Sequence, residues 1–158
     1  MAEWLEADQL ESWRSLQMMQ LRLYAYLARD LAAHSDLSHQ DYMVLVALTD
    51  RPEGRARLFE LSRLLGWEKS RLSHHVSRMV ERGLVRKHSC PMDRRGAYVE
   101  VTGPGRQSLE KAAPGHVAAV RRVFVEPLRP EQFGQLADIC RRVLAAVEQV
   151  EAPQCDGE

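Results

Sequence analysis

The sequence predicts a mainly α-helical fold carrying one small β-hairpin, and three observations lead there. Apolar residues recur at spacings of three and four over most of the chain, the period of a helix with one buried face. Near the middle, two short helical segments meet at Gly66, a step tight enough for a helix-turn-helix. Directly after them, Leu84 to His88 and Ala97 to Val101 are β-prone runs around a turn-rich stretch with Pro91, which read as a hairpin.

Residues 8 to 33 read as one long helix, with Leu10, Trp13, Leu16, Leu21, Tyr24, Leu27 and Leu31 forming a broad apolar stripe. His34 to Ser38 break it. Ser38 with Asp41 three residues on is a capping signature for a second helix, whose Tyr42, Leu45, Val46 and Thr49 keep helical spacing until Asp50-Arg51-Pro52-Glu53-Gly54 ends it. A short helix follows from about Leu58 to Leu65, and another from about Lys69 to Arg82, with Gly83 placed for a left-handed cap. A helix-turn-helix with a hairpin attached is a winged helix. Beyond it, Thr102 or Gly103 caps a long helix entered at Pro104, expected to kink or pause at Pro114-Gly115 because proline removes a backbone donor and clashes with the preceding turn. The last helix starts at Pro130. Its Phe133, Leu136, Cys140, Val143, Val147 and Val150 repeat as a heptad seam, widened by Ile139 and Leu144.

Charge is distributed unevenly. Arg55 to Arg106 holds twelve bases against five acids, a net +7, while the flanks are acidic and the 158-residue chain sums to zero. Such a block favours a polyanion partner, because phosphates respond to local potential rather than to net charge. Projected at 100° per residue, the helix from Lys69 puts Leu72, Val76, Met79 and Val80 on one face and Ser70, His74, Ser77, Arg78 and Glu81 on the other, with Arg71 at the edge. Small hydroxyls, His and Arg suit a major groove, with Arg or Lys at the margins for phosphates. Taken alone, the bland reading of a solvated surface helix is the better one. The hairpin tips the balance, since Asp93-Arg94-Arg95-Gly96 places two guanidinium groups at its tip, suited to a narrow minor groove.

The stretch LSRLLGWEKSRLSHHVSRMVERGLVRKHSCPMDRRGAYVEVTGPGRQSL resembles the winged-helix core of the MarR family of bacterial transcriptional regulators. The matching segments are the helix Ser70 to Arg82, RGLVRK from Arg82, the wing PMDRRGAYVEVT and the GPGR that opens the next helix. The resemblance implies a homodimer on a double-stranded, pseudo-palindromic operator, most often a repressor, with recognition helices in major grooves and wings in the adjacent minor grooves. It divides the chain into an N-terminal dimerisation helix (1–37), a DNA-binding lobe (38–102), C-terminal dimerisation helices (103–151) and a frayed tail (152–158). Base contacts are then expected from Ser70, Ser73, His74, Ser77 and Arg78. Phosphate contacts are expected from Ser38, His39, Lys69, Arg71, Arg86 and Lys87, and minor-groove contacts from Asp93, Arg94 and Arg95, with Asp93 orienting and Arg95 inserting. Pro114-Gly115, and His88 with Cys90 at the wing base, depart from the family pattern.

Other chemistries are weaker. His74 and His75 are adjacent and point about 100° apart, so they cannot chelate one metal together, and no H-x-x-x-H occurs. His88-x-Cys90 is an incidental pair before it is a metal site, and Cys140 on the seam is expected to be core. No metal or cofactor is predicted, and no nucleophile-base arrangement argues for an enzyme. A small aromatic effector is implied by the resemblance, with Trp13, Tyr42 and Trp67 as candidates that serve more often as plain core. The rival readings are a protein-interaction or nonspecific nucleic-acid module of the same fold, or a metal- or thiol-responsive sensor. Three scattered cysteines, the lack of a basic N-terminal leader and the lack of an 18-residue apolar run point to a cytoplasmic protein without a membrane partner.

Overall fold

The structure, a computed structural model, describes residues 4–88 and 97–151. It is mainly helical with one small antiparallel sheet, as expected. In order it contains α1 (Ala7–His34), α2 (His39–Thr49), β1 (Arg55–Arg57), α3 (Leu58–Leu65), α4 (Lys69–Glu81), β2 (Val85–His88), β3 (Tyr98–Val101), α5 (Gly103–Val120) and α6 (Pro130–Glu151). It forms two compact units that divide after Ala119.

The first unit owns the core. Leu31 from α1, Val44, Leu45 and Leu48 from α2, Leu61 from α3, Leu72, Val76 and Met79 from α4, and Val85 and Val99 from the sheet make one buried cluster. Each fully buried side chain of this size contributes about 1.5–3 kcal/mol, so the cluster fixes α3 and α4 against α2. α2 starts at the expected capping box: the Asp41 N–H donates to Ser38 Oγ (3.1 Å) and the Ser38 N–H donates to Asp41 Oδ2 (2.9 Å). The turn between α3 and α4 depends on Gly66 at φ 63°, a left-handed conformation that costs a residue with a Cβ about 1–2 kcal/mol.

The sheet holds one strand more than the sequence suggests. β1 pairs with β3, giving the order β1-β3-β2 with Ala56 opposite Val99 and Lys87 opposite Val99 on the other side. Arg55-Ala56-Arg57 is too short and too polar to announce itself by β propensity; it is recruited because Ala56 reaches the core.

α5 corrects the expectation of a break at Pro114-Gly115. The helix runs unbroken through both residues to Val120, and the irregularity lies later, in a π-helical stretch Arg121–Val125 where the Glu126 N–H donates to the Arg121 carbonyl five residues back. Pro114 and Glu110 are both exposed, so the Glu110 carbonyl that loses its helical donor lies on a face open to solvent. At its start, Thr102 Oγ1 accepts from the Gly105 N–H (3.0 Å) and donates to the Gly83 carbonyl (2.6 Å). A Cβ on Gly105 would lie 2.0 Å from the Leu84 carbonyl oxygen, so only glycine allows α5 to approach the backbone just before β2 this closely.

In the second unit α6 buries none of its residues, and Ile139, Val143, Leu144, Val147 and Val150 are exposed. Cys140, expected in a core, is likewise exposed, on a helix that buries none of its residues among those described.

Candidate nucleic-acid interface

α4 is anchored by Leu72, Val76 and Met79, all fully buried, which leaves its other face in solvent. Ser70, Arg71, His74, Ser77, Arg78 and Glu81 are exposed and Ser73 is half-buried. Val80, expected on the apolar face, sits at its rim and is 39% exposed. No side chain caps the α4 N-terminus, so the first-turn amides beside Lys69, Ser70 and Arg71 remain suited to an anion.

Several of these side chains are already oriented. The Arg71 guanidinium lies over the Trp67 ring, 5.2 Å from its centroid. Lys87 reaches Ser73, with Nζ 3.5 Å from Oγ, which brings the base of the wing beside α4. Ser77 Oγ donates back to the Ser73 carbonyl (3.0 Å), so its outward lone pairs can only accept. In a major groove an acceptor matches cytosine N4 or adenine N6 rather than guanine.

Between the α2 N-terminus and α4 lies a cavity of about 620 Å³ lined by Trp67, Arg71, His74, His75, Arg78 and Arg82 along with Asp36, Ser38, Gln40 and Asp41. Its inner wall carries a network that spacing alone did not reveal. Asp41 is 1% exposed, and its Oδ2 accepts from Arg82 Nη1 (2.6 Å) as well as from the Ser38 N–H. Arg82 also donates to the Asp36 carbonyl, tying α4 to the α1–α2 turn. His75, 8% exposed on the inner face of α4, places Nε2 3.0 Å from Asp41 Oδ1, a close electrostatic approach that is off line for a linear hydrogen bond. Burial by itself would raise the Asp41 carboxyl; the contacts from His75, Arg82 and Ser38 outweigh it and hold the group well below the usual carboxylate range. The signal was present in the sequence as Leu72, His75 and Met79, spaced three and four, which places a histidine on the apolar stripe.

Other expected contacts fall elsewhere. His39 is corrected: its ring turns inward to Tyr24 (5.6 Å between centroids) and His116 (6.3 Å), with both nitrogens buried, so its side chain faces α1 and α5 rather than a phosphate. Strand alternation separates Arg86 from Lys87. Lys87 leaves β2 on the Val85 side, toward α4, whereas Arg86 leaves on the outer face, opposite Glu100 and Arg55 in the register. Ser38 lies at the cavity rim with its hydroxyl engaged as the α2 cap. His88 Nε2 pairs with Glu100 Oε2 at 2.8 Å. Asp93, Arg94 and Arg95 lie outside the described residues, as does Cys90. Trp13 is 51% exposed, Tyr42 packs on His116 and Trp67 on His75, so these three aromatic residues have separate neighbours.

The MarR family model matches residues 35–96, the segment that builds the lobe and this face. AbsC, a MarR family transcriptional regulator from Streptomyces coelicolor, is 33% identical, with 94% of this chain and 99% of that one covered and a TM-score of 0.84. This chain belongs to the MarR family of transcriptional regulators. A second MarR family regulator from Streptomyces coelicolor, Sco3205, solved in complex with DNA, is 35% identical over 99% of this chain and 97% of its own, with a TM-score of 0.86. The transcriptional regulator HosA of Escherichia coli O111:H- is 33% identical over 79 residues, which span 50% of this chain and 57% of that protein. No helix among the described residues is long and apolar enough to cross a membrane.

Proposed function

We propose that this chain is a homodimeric, sequence-specific repressor that places α4 in the major groove of a pseudo-palindromic operator. The observation that carries the reading is the polar α4 face itself: Ser70, His74, Ser77 and Arg78 are exposed on a helix whose opposite side is locked into the core. The likeness to Sco3205, whose structure was solved with DNA, supports it. Phosphate contacts fall to Ser38, Lys69, Arg71 and Lys87. Arg86 serves where the backbone curves past the outer sheet face, and Asp93, Arg94 and Arg95 serve the minor groove. The +7 block makes binding strongly salt-dependent, since each phosphate neutralised releases counterions.

Dimerisation through residues 1–37 and 103–151 is supported by large apolar side chains exposed on both segments, among them Trp13, Leu21, Leu144 and Val147. An aromatic effector fits best where Tyr24, His39, Tyr42 and His116 converge, because His39 Nδ1 and Nε2 and His116 Nδ1 are buried there without hydrogen-bond partners. A footprint on the DNA upstream of the protein's own gene tests the whole reading. Two protected half-sites about 10 bp apart, resistant to random competitor, are expected. Uniform, competitor-sensitive coating would instead identify a nonspecific nucleic-acid module.

A further inference from the structure

We infer that Asp41 and His75 are positioning residues that set the direction and donor geometry of Arg78 before DNA arrives. The inference rests on the function proposed above and goes beyond it, since neither residue faces the groove.

Arg78 Nη2 lies 3.1 Å from His75 Nδ1. A guanidinium has five donors and no acceptor, so this contact exists only if Nδ1 carries no proton and accepts. The imidazole proton then sits on Nε2, which is the atom 3.0 Å from Asp41 Oδ1. Asp41 is itself fixed, since its other oxygen holds Arg82 and the Ser38 N–H. The Trp67 ring stands perpendicular to the imidazole with the centroids 5.5 Å apart, and the Arg71 guanidinium in turn lies over the Trp67 ring. Orientation therefore passes from the buried α2 cap through one imidazole to an exposed guanidinium. A free arginine loses rotamer freedom when it docks; one already held by a single Nη2 bond keeps its remaining donors for guanine O6 and N7 or for a phosphate at lower entropic cost.

The tautomer makes the idea testable. Asp41→Asn is nearly isosteric and can still accept from Arg82 and Ser38, but it turns an amide donor toward Nε2. That favours the Nδ1–H tautomer, which opposes Arg78 donor to donor. His75→Leu removes the acceptor outright, and His75→Asn restores one near the Nδ1 position.

Operator binding is measured by fluorescence anisotropy for the full-length protein and for Arg78→Ala alone and combined with each of these changes, with thermal melts alongside. Arg78→Ala is expected to weaken specific binding about 10- to 100-fold in the wild-type background and less than about 3-fold beside Asp41→Asn or His75→Leu. His75→Asn should recover part of the Arg78 contribution. An Arg78→Ala penalty of equal size in all backgrounds overturns the inference. Long-range ¹H–¹⁵N spectra of the unmutated protein give a second measurement that is independent of variant stability: an Nε2–H tautomer for His75 supports the inference, and Nδ1–H overturns it. If the unmutated protein does not prefer its operator over random DNA, the proposed function falls and the inference falls with it. Preference retained with no coupling removes the positioning role alone.

Discussion

Asp41 is the residue on which the lobe's stability is most exposed to pH. Its carboxyl is held low by His75, Arg82 and Ser38 against the opposing effect of burial, so its stabilisation is fully present above the unfolded-state value of about 3.9 and drains away as pH falls below it. Asp41→Ala should cost about 2 kcal/mol or more at pH 7, leaving Arg82 and the α2 cap without their acceptor, and the gap to the unmutated protein should shrink steadily in urea melts between pH 4 and about 2. A gap that stayed constant with pH would show that the ionised carboxylate is not what matters. Gly105 makes a second, sharper case: Gly105→Ala forces a methyl group against the Leu84 carbonyl and should destabilise by at least about 2 kcal/mol, read from the same melts. Sequence made parts of this visible. Ser38 and Asp41 could be read as a cap, and Ser70, His74, Ser77 and Arg78 as one face, because both depend on local spacing. The pairing of Asp41 with Arg82, 41 residues away, has no local signature, and neither does the inward turn of His39.

At the scale of elements, what was legible follows from how many residues share one period. α1, α4 and the two longer strands each repeat their apolar positions often enough to stand out, whereas β1 offers three residues and exists only because β3 presents an open edge. Pro114 misled for the complementary reason, since a local rule about proline took no account of an exposed helix face on which the orphaned Glu110 carbonyl can be solvated. The meeting of α1, α2 and α5 around His39 and His116 has a titration consequence. Burial, with His116 nearby in the case of His39, pushes both imidazoles below their ordinary value of about 6.5, while Asp30 partly opposes this for His116. A lowered histidine contributes stability that is present above the unfolded value and lost as pH falls through the folded one. The melting temperature of the unmutated protein should therefore decline as pH falls below about 6.5, and His116→Phe should flatten that decline. An identical slope in the variant would remove these rings from the acid response.

For the molecule as a whole, the balance of charge and of apolar surface argues for division of labour along one chain. The basic block coincides with α3, α4 and the sheet, which supply much of the core, while the acidic flanks include α1 and α6, many of whose large apolar side chains, Trp13, Leu21, Val143 and Leu144 among them, stay exposed. Exposed surface of this kind costs free energy in water at roughly 25 cal/mol per Å², so it is retained only if something covers it. A second copy is the economical candidate, and a charge placed in the seam should reveal it. Leu144→Glu, at an exposed position of α6, should leave the helical content and the fold of the first unit intact while shifting the protein from dimer to monomer in sedimentation velocity at micromolar concentration. Because two half-sites bound by linked lobes gain from effective concentration, the monomerised variant should lose operator affinity by about 100-fold or more, although no residue of its α4 face has changed. Were Leu144→Glu to sediment as the unmutated protein does and bind as tightly, the seam would have another purpose and the operator would be read by a lobe acting alone.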